Sequence, residues 1–82
     1  MPNNHIAFEN KDYYIELGLN IAFYRKRVGM TQEMLAEKSG ISRSHLSAIE
    51  APNIIRPFSM EILFNIARAL NVAPCKLLEF RE

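Results

Sequence analysis

Three separate stretches of the chain share one short pattern, which restricts the fold more than any other feature of the sequence. In each stretch an apolar residue precedes a Ser or Thr, and a Leu follows the hydroxyl residue by four positions. A Ser or Thr at a helix N-cap accepts a hydrogen bond from a free N–H of the first turn, and the flanking apolar residues can pack together as a hydrophobic staple. The pattern therefore predicts three helices that begin at Thr31, Ser42 and Ser59.

Glycine, proline and asparagine mark where these helices end. Gly40 predicts the end of the first of the three, Pro52 stops the second, and Asn71 can adopt the left-handed cap conformation after the third. Apolar residues spaced by three and four predict a preceding helix from about Asp12 to Arg27. Pro74 at a first helical position predicts a short last helix that reaches about Phe80.

The predicted fold class is all-α, a compact bundle of five helices, because no stretch shows the alternating pattern of a strand. A length of 82 residues fits one small domain. We assign residues 12–82 to that domain and expect residues 1–11 to be a polar, flexible N-terminal arm. The predicted core consists of apolar residues on one face of each helix: Leu17, Ile21, Leu35, Ala36, Ile41, Leu46, Ile49, Leu63, Ile66, Ala67, Leu70, Val72 and Leu78.

Composition excludes several classes of protein. A single cysteine, Cys75, rules out an intrachain disulfide, which fits a reducing compartment, and we expect its side chain to be a small buried hydrophobe. The chain has no apolar run of the roughly 20 residues that a membrane span needs, and its N-terminus lacks the features of a secretory signal. His5, His45 and Cys75 lack metal-ligand spacing, and no carboxylate is placed to orient a Ser–His pair. We expect no metal, no cofactor and no enzymatic activity, and a cytoplasmic location.

The spacing of the second and third helices carries the functional information. Two short helices within residues 31–50, separated by a turn of three or four residues, form a helix-turn-helix unit, whose second helix can enter the DNA major groove. On a helical wheel of the segment 42–50, Leu46 and Ile49 point inward, whereas Ser44, Ser47 and Ala48 point outward with Arg43 on one flank. Small outward residues let a helix backbone approach bases closely, although a solvated helix surface is the alternative interpretation of this face.

The stretch from Leu17 to Phe80 resembles the Cro and phage-repressor (xenobiotic-response-element, XRE) helix-turn-helix family. The resemblance rests on spaced motifs: Leu17-Gly18-x-Asn20-Ile21, Arg25-x-x-x-Gly29-Met30-Thr31-Gln32, Leu35-Ala36-x-Lys38-x-Gly40-Ile41-Ser42, Leu46-Ser47-x-Ile49-Glu50 and Leu63-x-x-Ile66-Ala67-x-Ala69-Leu70. It implies a five-helix domain of the lambda-repressor type that binds double-stranded DNA, usually as a homodimer. The expected function is a transcriptional regulator, for example a repressor, acting on a palindromic operator.

The resemblance also implies roles for individual residues. Arg25 and Glu50 match a largely buried ion pair that links the first and third helices, which we interpret as structural. The residues expected to read bases are Gln32, Arg43, Ser44, Ser47 and Ala48. Those expected to contact phosphates are Thr31, Gln32, Ser42 and Arg56.

The chain departs from the family pattern after Glu50. There the family usually has a Gly-containing polar turn, whereas this sequence reads Ala51-Pro52-Asn53-Ile54-Ile55. The phosphate contacts of this turn are therefore in doubt, and we expect the two isoleucines to pack, either on a partner or on the fourth helix.

Apolar residues elsewhere indicate association. Leu77 and Phe80 are our candidates for the dimer contact, because one small core is not expected to cover them. The first helix has more aromatic residues than one buried stripe requires, namely Tyr13, Tyr14 and Phe23. They belong either to the core or to an oligomer surface. Together with Ile54 and Ile55 they motivate an alternative function, a protein-interaction module such as an antitoxin or a regulatory subunit with a protein partner.

Charge is distributed unevenly along the chain. The net charge of +1 is low for a nucleic-acid-binding domain. Residues 24–57, however, hold six of the ten Lys and Arg and only three Glu, so the segment around the helix-turn-helix unit is the basic one. A dimer would present this segment twice.

Overall fold

Residues 10–80 are described by the computed structural model, and they form five α-helices without any strand. The helices are α1 (Lys11–Arg27), α2 (Gln32–Ser39), α3 (Arg43–Glu50), α4 (Met60–Leu70) and α5 (Pro74–Leu77). The prediction of an all-α fold with five helices is confirmed. Of the predicted N-terminal arm, residues 1–9 lie outside the described residues, and α1 begins one residue before the expected Asp12.

The three predicted N-caps are all formed. The side-chain oxygens of Thr31, Ser42 and Ser59 accept hydrogen bonds from the backbone N–H three residues ahead, at 3.1, 3.0 and 3.2 Å. In each case the cap residue is extended, so the chain enters the helix abruptly. The preceding residues Met30, Ile41 and Phe58 are partly buried against the core. The repeated sequence pattern thus fixes both the first residue of each helix and the direction from which the chain arrives.

The ends of α2 and α4 use left-handed residues, as the sequence predicts. Gly40 has φ 76° and Asn71 has φ 60°, which turns the chain so that the next N–H reaches back to the helix. The N–H of Ile41 donates to the Ala36 carbonyl at 3.1 Å, and that of Val72 donates to the Ala67 carbonyl at 3.0 Å. Both connections are therefore compact and closed by hydrogen bonds.

The crossing of α1 and α3 depends on Gly18. A Cβ placed on this residue would collide with the backbone carbonyl of Ile49. The absence of a side chain therefore allows α1 to lie directly against α3, with Ile21 and Arg25 buried further along the same helix. Through this contact α1 supports α3 from behind.

The core lies among all five helices and follows the prediction with few exceptions. Ten of the thirteen predicted residues are buried, while Ile41 and Val72 are only partly buried against the core. Leu78 was placed in the core wrongly, because its side chain is 45% exposed. Its neighbour Leu77 is completely buried instead.

The reason for this exchange is the early end of α5. The helix stops at Leu77 rather than near Phe80. The buried side-chain amide of Asn20 on α1 donates to the carbonyls of Leu77 and Glu79 at 3.0 and 3.1 Å. Asn20 thus forms hydrogen bonds with the carbonyls at the end of α5 and holds the segment that follows this helix against α1.

Cys75 also differs from expectation, because it is exposed rather than buried. It lies in the first turn of the short α5, directly after Pro74. Only Leu77 of this helix is buried, so the cysteine remains on its outer side. Among the residues that the structure describes, no helix combines the length and the apolar character required to cross a membrane.

Candidate nucleic-acid interface

The α2–α3 unit is the part of the structure that matches the predicted helix-turn-helix. Both helices have eight residues, and the turn between them consists of residues 40–42. Gly40 and the N-cap Ser42 fix the two ends of this turn, so the direction of α3 relative to α2 is set by local geometry. α2 and α3 also pack on each other, and α1 and α4 support them from behind.

The outer side of α3 is composed of small residues next to one arginine. Leu46, Ile49 and Glu50 are buried, whereas Arg43 and Ser44 are exposed and Ser47 and Ala48 are half-buried. The structure therefore brings together on one accessible side the four α3 residues that the sequence predicted to read bases. His45, on the other flank, is also half-buried.

The hydroxyl groups predicted to contact phosphates are N-caps, and this restricts what they can do. Thr31 Oγ1 and Ser42 Oγ each accept a hydrogen bond from a backbone N–H of their own helix. A hydroxyl keeps one O–H donor while it accepts. Ser42 Oγ also lies 3.4 Å from Ser44 Oγ, close enough for either group to donate to the other. Both caps can therefore still donate to an acceptor such as a phosphate oxygen.

A charged network connects α1, α2 and α3 at one end of this unit. Arg25 donates to both carboxylate oxygens of Glu50, from Nε at 2.8 Å and from the second Nη at 2.9 Å. The first Nη donates to the carbonyl of Met30 at 2.9 Å, in the turn between α1 and α2. Both side chains of the pair are at least nine-tenths buried. The arrangement contains the ion pair that the resemblance implies.

Gln32 joins the same network through Glu50, a partner that the sequence did not indicate. Its side-chain Nε2 donates to Glu50 Oε1 at 2.9 Å, so the first residue of α2 is tied to the last residue of α3. The two residues are 18 positions apart, and neither periodicity nor capping pairs them. Only the three-dimensional crossing of the two helices brings them together.

The segment after α3 presents one cation and one apolar side chain to solvent. Arg56 is exposed, as its predicted role at a phosphate requires. Ile54 is 46% exposed and Ile55 is half-buried, so the expected packing on the chain's own helices applies in part to Ile55 and not to Ile54. Pro52 and Pro57 frame the segment, and the N–H of Ile54 donates to the Ala51 carbonyl at 3.3 Å.

The exposed charges of residues 24–57 favour an anionic partner for this segment. Arg25 and Glu50 neutralise each other in the interior, which leaves five exposed cations against two exposed carboxylates in residues 24–57. The exposed cations are Lys26, Arg27, Lys38, Arg43 and Arg56. Arg27 lies over the ring of Phe23, with its guanidinium carbon 5.9 Å from the ring centre.

The predicted dimer contact must be revised. Leu77 is completely buried within the single chain, so the expectation that the core leaves it uncovered is wrong. Phe80 is partly buried and stacks on Tyr13 with ring centres 5.7 Å apart. Tyr13 and Phe23 are 59% and 49% exposed, while Tyr14 is half-buried. The aromatic residues of α1 therefore lie mostly on the surface.

A shallow groove of about 300 Å³ lies between α1 and α5 and is lined by Asn20, Phe23, Tyr24, Lys76, Glu79 and Phe80. Phe23 and Tyr24 meet edge to face with ring centres 5.1 Å apart, and Lys76 Nζ lies 3.5 Å from a carboxylate oxygen of Glu79. Residues 10–80 contain no group of three or more His, Cys, Asp or Glu side chains arranged to hold a metal ion.

Comparison with known proteins finds a matching family and several similar proteins. The family model described as helix-turn-helix matches residues 21–77. The control protein C.SmaI of Serratia marcescens is 35% identical over 78 residues, which cover 95% of this chain and 88% of that protein. The transcriptional regulator SinR of Bacillus subtilis is 36% identical over 63 residues, which cover 77% of this chain but only 56% of SinR.

A solved structure of a protein–DNA complex is also similar to this chain. The structure of C.Esp1396I bound to a 19 base pair DNA duplex matches 79% of this chain and 84% of that chain, with 32% sequence identity and a TM-score of 0.70. The family match over residues 21–77 includes both helices of the α2–α3 unit.

Proposed function

The chain belongs to the XRE-type helix-turn-helix family, and from this membership we propose that it is a sequence-specific, double-stranded DNA-binding transcriptional regulator. In this proposal α3 enters the major groove, and the protein acts as a homodimer on a palindromic operator. Because SinR extends well beyond the matched region, only the DNA-binding part of its activity is relevant to the proposal.

The observation that carries the proposal is the accessible side of α3. A surface helix normally carries charged residues there, whereas this one presents Ser44, Ser47 and Ala48 beside Arg43. A major groove about 12 Å wide admits a helix, and small side chains allow its backbone to approach the base edges. The Ser42 cap and the contact with α1 fix the position of this helix in the fold.

The individual roles follow from the chemistry of each side chain. Arg43 can bond bidentately to a guanine, and Ala48 can contact a thymine methyl group. Ser44 and Ser47 can donate to bases. The amide of Gln32, at the start of α2, can contact a base-reading side chain or a phosphate. The hydroxyls of Thr31 and Ser42, the Gln32 amide and the Arg56 guanidinium are the proposed phosphate contacts.

Dimerisation is part of the proposal because one short helix reads few bases. Two α3 helices on one face of DNA would be about 34 Å apart, which corresponds to successive major grooves. Of the two residues predicted to form the dimer contact, Phe80 remains, while Leu77 is unavailable because it is buried. Sedimentation equilibrium of wild type and Phe80→Ala tests this contact, and equal dimer dissociation constants would exclude it.

Site selection from random duplexes is the direct test of the DNA-binding function. We expect a recovered sequence with two half-sites related by a two-fold axis, and a mobility shift with that duplex at low salt. We expect Arg43→Ala to relax the base preference at one position per half-site, because its guanidinium is the only long donor on the accessible side of α3. Failure to retard any duplex at low salt would refute the proposal, and an unchanged preference in Arg43→Ala would refute the assignment of the reading face.

A protein-interaction module is the second candidate, favoured by the exposed apolar side chains of Ile54, Tyr13 and Phe23. The two functions are compatible, since a DNA-binding regulator can also have a protein partner. Affinity capture from the native host distinguishes them: a stoichiometric partner whose binding is lost in Ile54→Asp supports the interaction module, and its absence argues against it. As a transcriptional regulator, the protein is proposed to act in the cytoplasm and to have no enzymatic role.

A further inference from the structure

Glu50 receives more hydrogen bonds than an ion pair with Arg25 requires. Two of its three donors belong to Arg25, and the third is the Nε2 of Gln32, at 2.9 Å. Glu50 ends α3 and Gln32 begins α2. The buried carboxylate therefore makes direct contact with one of the residues proposed to meet DNA.

The contact sets the orientation of the Gln32 amide. A carboxylate oxygen only accepts hydrogen bonds, so the nitrogen end of the amide must face Glu50 and the carbonyl oxygen must face away from it. The NH₂ group has two N–H donors, and one is used by Glu50. Within residues 10–80 the Gln32 amide makes no other hydrogen bond, so its second N–H is left for an external acceptor.

Arg25 makes this orientation rigid. It holds both oxygens of the carboxylate and also the Met30 carbonyl, two residues before Gln32. The carboxylate cannot rotate without breaking hydrogen bonds to Arg25 on α1 and to Gln32 on α2. A charged acceptor also forms a stronger hydrogen bond than a neutral one and polarises the amide that donates to it.

We propose that Glu50 is a positioning residue for DNA binding, which acts through Gln32. It orients the Gln32 amide so that the second N–H donates to a phosphate oxygen of the DNA backbone. This inference rests on the proposed function, and it assigns to the buried ion pair a role in binding besides its role in folding. An unpaired carboxylate near DNA would repel the phosphates, and the positive charge of Arg25 offsets that repulsion.

The side-chain amide of Gln32 provides a direct spectroscopic test. In the NMR spectrum of the free protein we expect its two Nε2 protons to be strongly inequivalent, with the proton bonded to Glu50 downfield. On addition of the duplex recovered by site selection, the second proton should also move downfield. If the α3 resonances shift while both Gln32 protons keep their free values, this inference is overturned although the proposed function stands. If no resonance shifts with any duplex, the proposed function itself fails.

Affinity measurements separate positioning from a purely structural role. Gln32→Met keeps the length of the side chain and removes its donors, and we expect it to weaken operator binding about tenfold, as loss of a hydrogen bond to a charged group would. Asn65→Leu is the matched control, because Asn65 also donates from a side-chain amide to another helix, to the Ser39 carbonyl at 3.5 Å, but from α4. This control should bind the operator as wild type does.

The decisive comparison is Glu50→Gln in two backgrounds, at a temperature where all variants are folded. If Glu50 acts through Gln32, this change weakens operator binding in the wild-type chain and has little further effect in Gln32→Met. Equal losses in both backgrounds would contradict the proposal. If Glu50→Gln does not fold, the NMR experiment with wild type and Gln32→Met decides the question.

Discussion

Individual buried residues stabilise the fold and also determine the shape of the candidate interface. Arg25 is the clearest case, because three of its nitrogens donate to the Glu50 carboxylate and the Met30 carbonyl. An arginine suits this site better than a lysine, since its planar guanidinium matches a carboxylate with two parallel bonds. Loss of this side chain would leave the buried carboxylate without its counter-charge and with Gln32 as its remaining donor, and it would leave the Met30 carbonyl without the Arg25 donor.

We therefore expect Arg25→Met to lower the free energy of unfolding by about 3–5 kcal/mol, the usual cost of removing one partner of a buried ion pair. The double variant Arg25→Met/Glu50→Leu should recover much of the loss, because it leaves no unpaired charge. Urea denaturation of the wild type, both single variants and the double variant measures the effect. Purely additive losses would show that the two charges are not coupled in the folded state.

Packing around Gly18 determines whether the substitution Gly18→Ala stabilises or destabilises the protein. In an exposed helix, Gly→Ala is stabilising by up to about 1 kcal/mol. At Gly18, however, the added Cβ meets the Ile49 carbonyl, and a backbone atom cannot move aside as a flexible side chain can. We expect Gly18→Ala to destabilise the protein by about 1–3 kcal/mol, the typical cost of overpacking, and to separate α1 from α3. A thermal midpoint at or above that of wild type would disprove the close approach.

At the scale of helices, the sequence predicts the boundaries that depend on neighbouring residues and fails at the one that depends on a distant contact. The N-caps of α2, α3 and α4 were identified because each depends on one hydroxyl residue and its immediate neighbours. The end of α5 was predicted three residues too late, because it depends on Asn20, which is 57 residues distant from Leu77. The exchange of Leu77 and Leu78 in the core has the same origin. Local chemistry is readable from a single sequence, whereas a tertiary hydrogen bond is not.

The same distinction applies to the candidate interface. The accessible side of α3 follows from helical periodicity once the helix is placed, and the structure agrees with it. The Gln32–Glu50 contact was missed, because it requires the crossing geometry of α2 and α3. Cys75 was misplaced because a cysteine's usual burial says nothing about a short helix that buries only one of its residues.

The last residue of α2 offers a test of helix energetics. Ser39 is buried, and its hydroxyl has no hydrogen-bond partner within residues 10–80. Ser39→Ala should therefore raise the free energy of unfolding by about 1 kcal/mol, because it removes an unsatisfied buried group and adds a better helix former. Ser47→Ala on the accessible side of α3 is the control and should gain only the smaller contribution of helix propensity. A loss of stability in Ser39→Ala would show that the hydroxyl is satisfied in solution.

At the scale of the whole molecule, an almost neutral chain still contains one basic segment, residues 24–57. Carboxylates elsewhere offset the cations in the overall sum, but not in residues 24–57, where the only buried carboxylate is already paired with Arg25. Net charge is therefore a poor guide to the partner of this chain, and the distribution of charge along it is more informative. With five exposed cations per subunit on that segment, only a few phosphates can be neutralised.

The number of exposed cations on residues 24–57 limits the salt dependence of DNA binding. Each neutralised phosphate contributes about −0.9 to the slope of log K against log salt concentration. Arg56 lies outside α3 and is proposed to meet a phosphate rather than a base. Arg56→Ala should therefore reduce the steepness of this slope by about one per subunit, and weaken binding to operator and to unrelated duplexes by similar factors.

Arg43→Ala is the matched variant, because it also removes one exposed arginine but from the reading side of α3. It should weaken operator binding more than binding to unrelated duplexes, since a bidentate base contact contributes about 1–3 kcal/mol of discrimination. Fluorescence anisotropy with both duplexes at several salt concentrations gives all four affinities. If Arg56→Ala lost affinity only for the operator, the segment after α3 would have to read sequence, and the division between base-reading α3 and phosphate-binding flanks would be wrong.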